Sequence, residues 1–308
     1  MATIPAGMVK DLRDKTGAGM MDCKTALTET NADFELAVDW LRKKGLAKAA
    51  KKAGRTAAEG LIGIATQTDC GAIVEVNSET DFVARGGEFQ DYVRRAAKQA
   101  LEEEGELERL LLSPFDDRQT MAEALTALVA KIGENMSVRR SAGLAVSPGV
   151  VASYVHNAVA PDLGKIGVLV ALESAGNVDA LQRLGKQLAM HVAAANPLAL
   201  TPDAVPPETI ARERSIYEDQ ARQTGKPEGV IAKMVDGRMR KFYEENVLLS
   251  QIFVVDGETP VSKVLENASK DVGAPVRITG FVRFAVGEGI DKPTTDFAAE
   301  VRATAGTS

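Results

Sequence analysis

The 308-residue sequence is poor in the residues on which most catalytic and metal sites depend. It has two cysteines, Cys23 and Cys70, two histidines, His156 and His191, and one tryptophan. The cysteines lie far apart and form no CxxC pair, which suits a reducing compartment without a disulfide framework. Neither histidine sits in an HExxH or a Cys/His spacing, so a zinc site has no motif to rest on. There is no GxxxxGK[ST] phosphate loop, and the chain is therefore not expected to hydrolyse GTP itself. The glycine clusters GAG (17–19) and GEG (287–289) lack the GxGxxG spacing. Aromatic residues make up 5% of the chain, too few for a base-stacking platform. The net charge of −6 disfavours non-specific nucleic-acid binding. No apolar run reaches the roughly 20 residues that a membrane helix needs. The N-terminus, MATIPAGMVKDLRDKTG, meets charge too early for a secretory h-region. The expectation is a soluble cytoplasmic protein with no transit peptide, no cofactor, no metal and no direct nucleic-acid partner. These absences count against motif-bearing enzymes; an enzyme whose site has no motif stays open at this point.

What is present is ample apolar material, 45% of residues, arranged in two different periods. Residues 1–55 read as a small helical module. Ile4, Met8 and Leu12 recur at helical spacing, with Pro5 in the first turn. Thr16-Gly17-Ala18-Gly19 breaks that helix, and a short second one begins at Met21. Phe34, Ala37, Val38 and Leu41 define a third, with Asn31 and Asp33 as caps. A bundle this small gains little from its own core, so docking on something larger is expected. The alanine-rich basic segment RKKGLAKAAKKAGR (42–55) reads as a helical connector. Its commoner reading is a solvated charged face; its sharper one is contact with an acidic partner or RNA.

From Gly60 the period shortens. LIGIATQTD and GAIVEVNSE read as two strands joined near residues 68–71. A long helix is expected from about Phe82 to Leu101, a charged helical fragment and loop after it, and a further helix at 119–131. SVRRSAGLAV (137–146) is a strand. A similar order recurs downstream: VVASYVHN, the strand GKIGVLVALES, a helix over 177–195 and a last strand, PVRITGFVRFAVGEG. Two related α+β units follow, each a small antiparallel sheet with helices on one face. They span residues 56–146 and, for the second, 147–199 with 247–289. The 200–246 insertion carries apolar stripes on two helices, Ile210, Tyr217 and Ala221 on one and Ile231, Met234, Val235, Met239 and Phe242 on the other. A Gly/Pro turn between them makes an antiparallel hairpin. Such an arm pairs with itself, dimerises or meets a partner. Residues 290–308 read as a short helix and a frayed end.

Spacing alone gives Thr80-Asp81-Phe82-Val83 a structural role. Ser78 or Thr80 caps, Asp81 suits a helix N-terminus, and Phe82 enters the core. Met20 and Met21 divide evenly between core filling and a soft exposed surface. His191, on the apolar stripe of Leu184 and Leu188, reads as a satisfied core histidine.

Five ordered segments change that weighting. LRDKTGAGMMDCKTALTE (12–29), NSETDFVAR (77–85), KIGENMSVRR (131–140), MHVAAANP (190–197) and TDFAAEV (295–301) resemble, in sequence and order, the elongation factor Ts family. The resemblance runs from end to end. It implies a fold with a UBA-like N-terminal three-helix bundle, a two-subdomain core, a coiled-coil arm and a C-terminal helix. It implies a non-enzymatic guanine nucleotide exchange factor whose partner is elongation factor Tu, in its GDP-bound and nucleotide-free forms. It leaves a homodimer or a 2:2 complex through the core or arm open. It places Thr80, Asp81, Phe82 and Val83 beside the magnesium site of that GTPase. It makes Leu12, Arg13, Met20, Met21, Lys24, Lys52 and His191 partner-binding residues. Gly86-Gly87 and Ile252 depart from the family pattern, which more often has a polar pair and a proline there.

Overall fold

The computed structural model describes residues 4–16 and 18–291. The expected C-terminal helix and its TDFAAEV segment lie outside the described residues. Three helices open the chain: α1 (Ala6–Thr16), α2 (Met20–Glu29) and α3 (Phe34–Ala50). Pro5 accepts the N–H groups of Met8 and Val9. Asp33 caps α3 by accepting from the Leu36 N–H at 2.9 Å, whereas Asn31 turns the chain at φ 51° and caps nothing. Leu12, Cys23, Ala26, Leu27 and Ala37 form the centre of this bundle. The third helix does not stop where the bundle does. It continues through the basic segment and lies against α7, where a Cβ on Gly45 would touch the Ala130 Cβ at 3.4 Å.

The next unit contains β1 (Glu59–Thr66), β2 (Cys70–Ser78), α4 (Asp81–Ala84), α5 (Gly87–Glu102), α6 (Leu107–Leu112), α7 (Met121–Ile132) and β3 (Met136–Ala145). The second contains β4 (Gly149–His156), β5 (Leu163–Gly164), β6 (Ile166–Glu173) and α8 (Val178–Ala195). The hairpin helices α9 (Pro207–Arg222) and α10 (Glu228–Asn246) follow, then α11 (Val261–Val272) and β7 (Arg277–Ala285). The sheet orders are β3-β2-β1-β5 and β4-β6-β7. In both units an antiparallel pair is followed by helices and then by a strand that pairs with the second member. The two units thus share a topology, and β3 and β7 each carry one extra residue against their neighbour. The α11 helix had no counterpart in the sequence reading.

The alternation along the strands explains the layering. On β1, Leu61 faces helices while Ile62 and Ile64 face the second sheet; on β6, Val168, Val170 and Leu172 face helices while Leu169 and Ala171 face the first. Ile62, Ile64, Ile73, Val151, Leu169, Ala171 and Phe284 form the layer between the sheets. Gly167 lets the sheets approach, since a Cβ there would lie 2.5 Å from Ile62 Cγ2. Helices cover only the outer faces. The hairpin arm buries its own stripe, with Ala221, Ile231, Val235, Met239 and Phe242 against Val205 and Val247.

A buried carboxylate interrupts the inter-sheet layer. Glu75 is fully buried on β2. The irregular register after it pairs Glu75 with Arg140 and Val76 with Val138, which leaves Arg139 as the extra residue. Consecutive strand residues normally point to opposite faces, and a bulge removes that restriction. Arg139 Nη1 therefore reaches Glu75 Oε1 at 3.2 Å and Arg140 Nε reaches Oε2 at 2.5 Å. The Gly287 N–H donates to Oε1 at 2.7 Å. Gly287 adopts φ 71° and sits so close to Ala58 that a Cβ would lie 2.2 Å from its carbonyl oxygen. Arg140 also bonds the Ala285 carbonyl and lies over the Phe284 ring. Removing the carboxylate would strip two guanidinium groups of a shared acceptor. Glu75→Ala is expected to lower the unfolding free energy by about 3 kcal/mol, the low end for a broken buried pair because both arginines keep some solvent contact. Urea denaturation with an unchanged m-value checks this, with Glu75→Gln falling between the two.

Candidate partner interface

Strand β2 delivers the chain directly to Thr80. Thr80 is extended, at φ −123° and ψ 157°, and its side chain makes no capping bond to α4. Its N–H and hydroxyl instead both donate to Glu134, at 3.0 and 2.7 Å. The Ser78 hydroxyl does not cap either; it donates to the Thr80 carbonyl at 2.9 Å. Asp81 pairs with Arg85 at 2.8 Å. Val83 enters the core of the first unit. Phe82 does not: it is 77% exposed. The tetrapeptide is therefore divided, with Val83 as anchor and Phe82 as projection, and the core role for Phe82 that spacing favoured is overturned.

The expected long helix from Phe82 is also corrected. Its first turn closes through the Arg85 and Gly86 N–H groups, bonded to Phe82 and Val83 carbonyls. Gly86 then takes ψ 134° and α5 starts afresh at Gly87. The glycine pair separates a one-turn helix from a long one. Phe82 consequently stands on a short projection rather than on the flank of α5.

On the bundle, Met20 and Met21 are 59% and 70% exposed at the start of α2. Arg13 and Lys24 are exposed beside them in sequence, but Leu12 is fully buried. Leu12 thus holds α1 in the bundle and offers no surface in this state. Part of the basic segment is paired with carboxylates of neighbouring elements. Lys44 and Lys48 reach Asp22 at 3.0 and 2.8 Å, and Arg42 pairs with Glu123. The Lys48 and Lys44 ammonium groups hold the Asp22 carboxyl below its ordinary range. These pairs line a cleft of about 720 Å³ between the bundle and α7. Lys52, half-buried, lies after α3 and just ahead of Arg55, which pairs with Glu79.

His191 is fully buried on α8. Its Nδ1 accepts from the Val254 N–H at 3.2 Å, which makes Nε2 the protonated nitrogen that donates to Gln251 Oε1 at 3.0 Å. The Gln251 amide donates in turn to the Glu245 carbonyl. The histidine is satisfied on both sides and fixes the segment after the hairpin, where Ile252, Val254 and Val255 are about half exposed. Among the described residues, no hydrogen bond joins His191 or the bundle residues to Thr80–Val83.

The family profile described as Elongation factor TS matches residues 79–288. A protein of Rhodospirillum centenum named Elongation factor Ts is 61% identical over 307 residues, covering 99% of this chain and 100% of that protein. Its namesake in Paramagnetospirillum magneticum is 60% identical, covering 100% of this chain and 99% of that protein. The one in Sphingopyxis alaskensis is 59% identical, covering 99% and 100%.

The chain belongs to the elongation factor Ts family. Membership in the elongation factor Ts family places it in translation elongation and protein biosynthesis. Four of the five family segments quoted from the sequence fall within the described residues: at the turn into α2, the turn after β2, the turn from α7 into β3, and the end of α8. Sequence reasoning missed Glu75 and Glu134. The adjacent arginines of KIGENMSVRR were a partial signal for the first, since arginines on a strand that are not solvated need a carboxylate on a neighbouring strand. Glu134, directly after the αL glycine that ends α7, lies in the same quoted segment, but neither its residue type nor its spacing pointed to Thr80.

Burial lowers the His191 pKa below its ordinary 6.5, against the opposing effect of the Gln251 bond. The unfolded chain takes up this proton more readily than the folded one. The stabilisation from a neutral His191 is therefore complete above pH 6.5 and lost as the pH falls below it. Urea midpoints measured from about pH 7 to about pH 5.5 are expected to fall further for the wild type than for His191→Gln, which has no such proton to bind.

Proposed function

We propose that this chain is a guanine nucleotide exchange factor that acts in the cytoplasm on elongation factor Tu. It binds the GDP form, disturbs the Mg²⁺ and phosphate site, and releases GDP so that GTP enters. Family membership supports the partner, and one observation carries the mechanism: Phe82 projects from a one-turn helix whose base is bonded to Glu134 and anchored by Val83.

GDP is held in a GTPase by a cradle of backbone N–H groups and Mg²⁺. A factor expels it only by binding the nucleotide-free state more tightly than the GDP state. The coupling is reciprocal, so GDP must weaken the factor as much as the factor weakens GDP. Phe82 supplies an apolar wedge that needs no covalent chemistry. Asp81 supplies a carboxylate that competes for polar contacts around the metal, after exchanging its Arg85 partner. Val83 and Thr80 hold the turn. Met20 and Met21, with Arg13 and Lys24, form a soft docking surface on the bundle, and Leu12 supports it from within. Lys52 lies between that surface and the wedge along the chain. His191 acts by fixing the segment that exposes Ile252, Val254 and Val255 rather than by contact. The hairpin arm covers its own stripe, which favours pairing within the chain over a homodimer or 2:2 complex through that stripe.

Catalytic amounts of the protein are expected to accelerate release of a labelled GDP from elongation factor Tu; unchanged release with folded protein would sink the proposal. Asp81→Ala with Phe82→Ala is expected to lower the maximal exchange rate by about tenfold or more, with affinity for the nucleotide-free GTPase changed less than about threefold. Equal losses in both quantities would reduce Asp81 and Phe82 to docking residues. Replacing Met20 and Met21 by alanine is expected to give the opposite split, weaker binding with the maximal rate kept.

A further inference from the structure

A four-residue helix has no stability of its own, because nucleation fixes several residues for very few hydrogen bonds. The α4 turn must therefore be held from outside, and the loop between α7 and β3 holds it. Gly133 ends α7 in the left-handed region at φ 87°. The chain turns there, and both carboxylate oxygens of Glu134 go to one residue, Thr80. Asn135 continues the same loop. Its backbone N–H donates to Glu79 Oε1 at 2.6 Å, and its side-chain amide donates to the Arg55 carbonyl at 2.7 Å. The Glu79 carboxylate also meets the Arg55 guanidinium at 3.5 Å. Two adjacent residues thus tie the end of β2 and the segment leading out of α3 to one point. Neither bond set is needed to complete a sheet or cap α7.

We propose that Glu134 is a positioning residue for nucleotide exchange, which orients the Phe82 turn by holding Thr80. The inference rests on Thr80–Val83 being the element that acts on the GTPase. A wedge gains from being held before it meets its target, because ordering it afterwards subtracts from the work it can do there. Glu134 has no contact with the partner's nucleotide in this scheme; it acts through Thr80.

The test uses the full chain and elongation factor Tu loaded with labelled GDP. GDP release is followed over a range of factor concentrations for wild type, Glu134→Ala and Glu134→Gln. Glu134→Ala is expected to lower the maximal rate by about tenfold, with the half-saturating concentration changed by less than about threefold. Glu134→Gln is expected to recover most of the rate. Its amide oxygen accepts the Thr80 N–H, and its NH₂ donates to the Thr80 hydroxyl, which reverses direction. In a Phe82→Ala background the Glu134→Ala change is expected to have little further effect, since the two residues act as one unit. A loss of the same factor with and without Phe82, or a raised half-saturating concentration at an unchanged maximal rate, overturns the proposal. If Glu134→Ala fails to fold, Thr80→Val takes its place in the same cycle, losing only the hydroxyl bond. A wild type that does not accelerate GDP release refutes the exchange function instead. The positioning claim then stands or falls on the free protein: amide hydrogen exchange at Thr80 is expected to rise at least about tenfold in a destabilised turn and to stay unchanged if Glu134 holds nothing.

Discussion

The structure depends on a carboxylate that is buried where no carboxylate would rest alone. Glu75 lies in the layer between the sheets, and two arginines, the Asn77 amide and a backbone N–H from the far unit satisfy it. A buried charge is tolerated only when paired and hydrogen-bonded, so the bulge in β3 and the tight Gly287 turn are requirements of the same group. The bulge brings two successive arginines to one side. The glycine brings a backbone donor close against Ala58. Apolar contacts alone would let the two sheets slide over one another; a directional ion cluster at the edge of the layer fixes their relation. Through Arg140 and the Ala285 carbonyl, that relation extends to the end of β7.

The secondary structure was readable wherever one face of an element was buried. The helical stripes of α8, α9 and α10 each carry a single consistent pattern, and β1, β2 and β6 read as short apolar runs bounded by turn residues. The face-to-face contact of the sheets was less legible. Near-continuous apolar strands such as GAIVEV are buried on both sides, and sequence alone does not say whether helices or another sheet cover the second side. The α11 helix was hidden for a related reason. It follows a stretch in which Ile252, Val254 and Val255 are apolar yet exposed while Phe253 is buried, which blurs the boundary between strand-like and helical patterns.

The candidate site divides along the same line. Thr80–Val83 was visible through its resemblance to a family, whereas its spacing pointed to an ordinary helix start. The local rule failed because Thr80 spends both its donors on Glu134, 54 positions away. Long-range polar pairing has no period, so no window of sequence contains it. Leu12 and His191 show the converse. Their apolar spacing correctly marks them as interior, where Leu12 packs in the bundle and His191 is hydrogen-bonded on both ring nitrogens.

Strand β2 is hydrogen-bonded on both sides, to β1 and β3, and Phe82 stands four residues beyond its last residue, Ser78. Considered mechanically, a push on Phe82 along the strand is a shear load shared by two ladders acting in parallel. Close-packed interiors are stiff and transmit strain instead of absorbing it. The projection is thus mounted on a strand braced from both sides, and a load applied at that point is carried into the whole sheet.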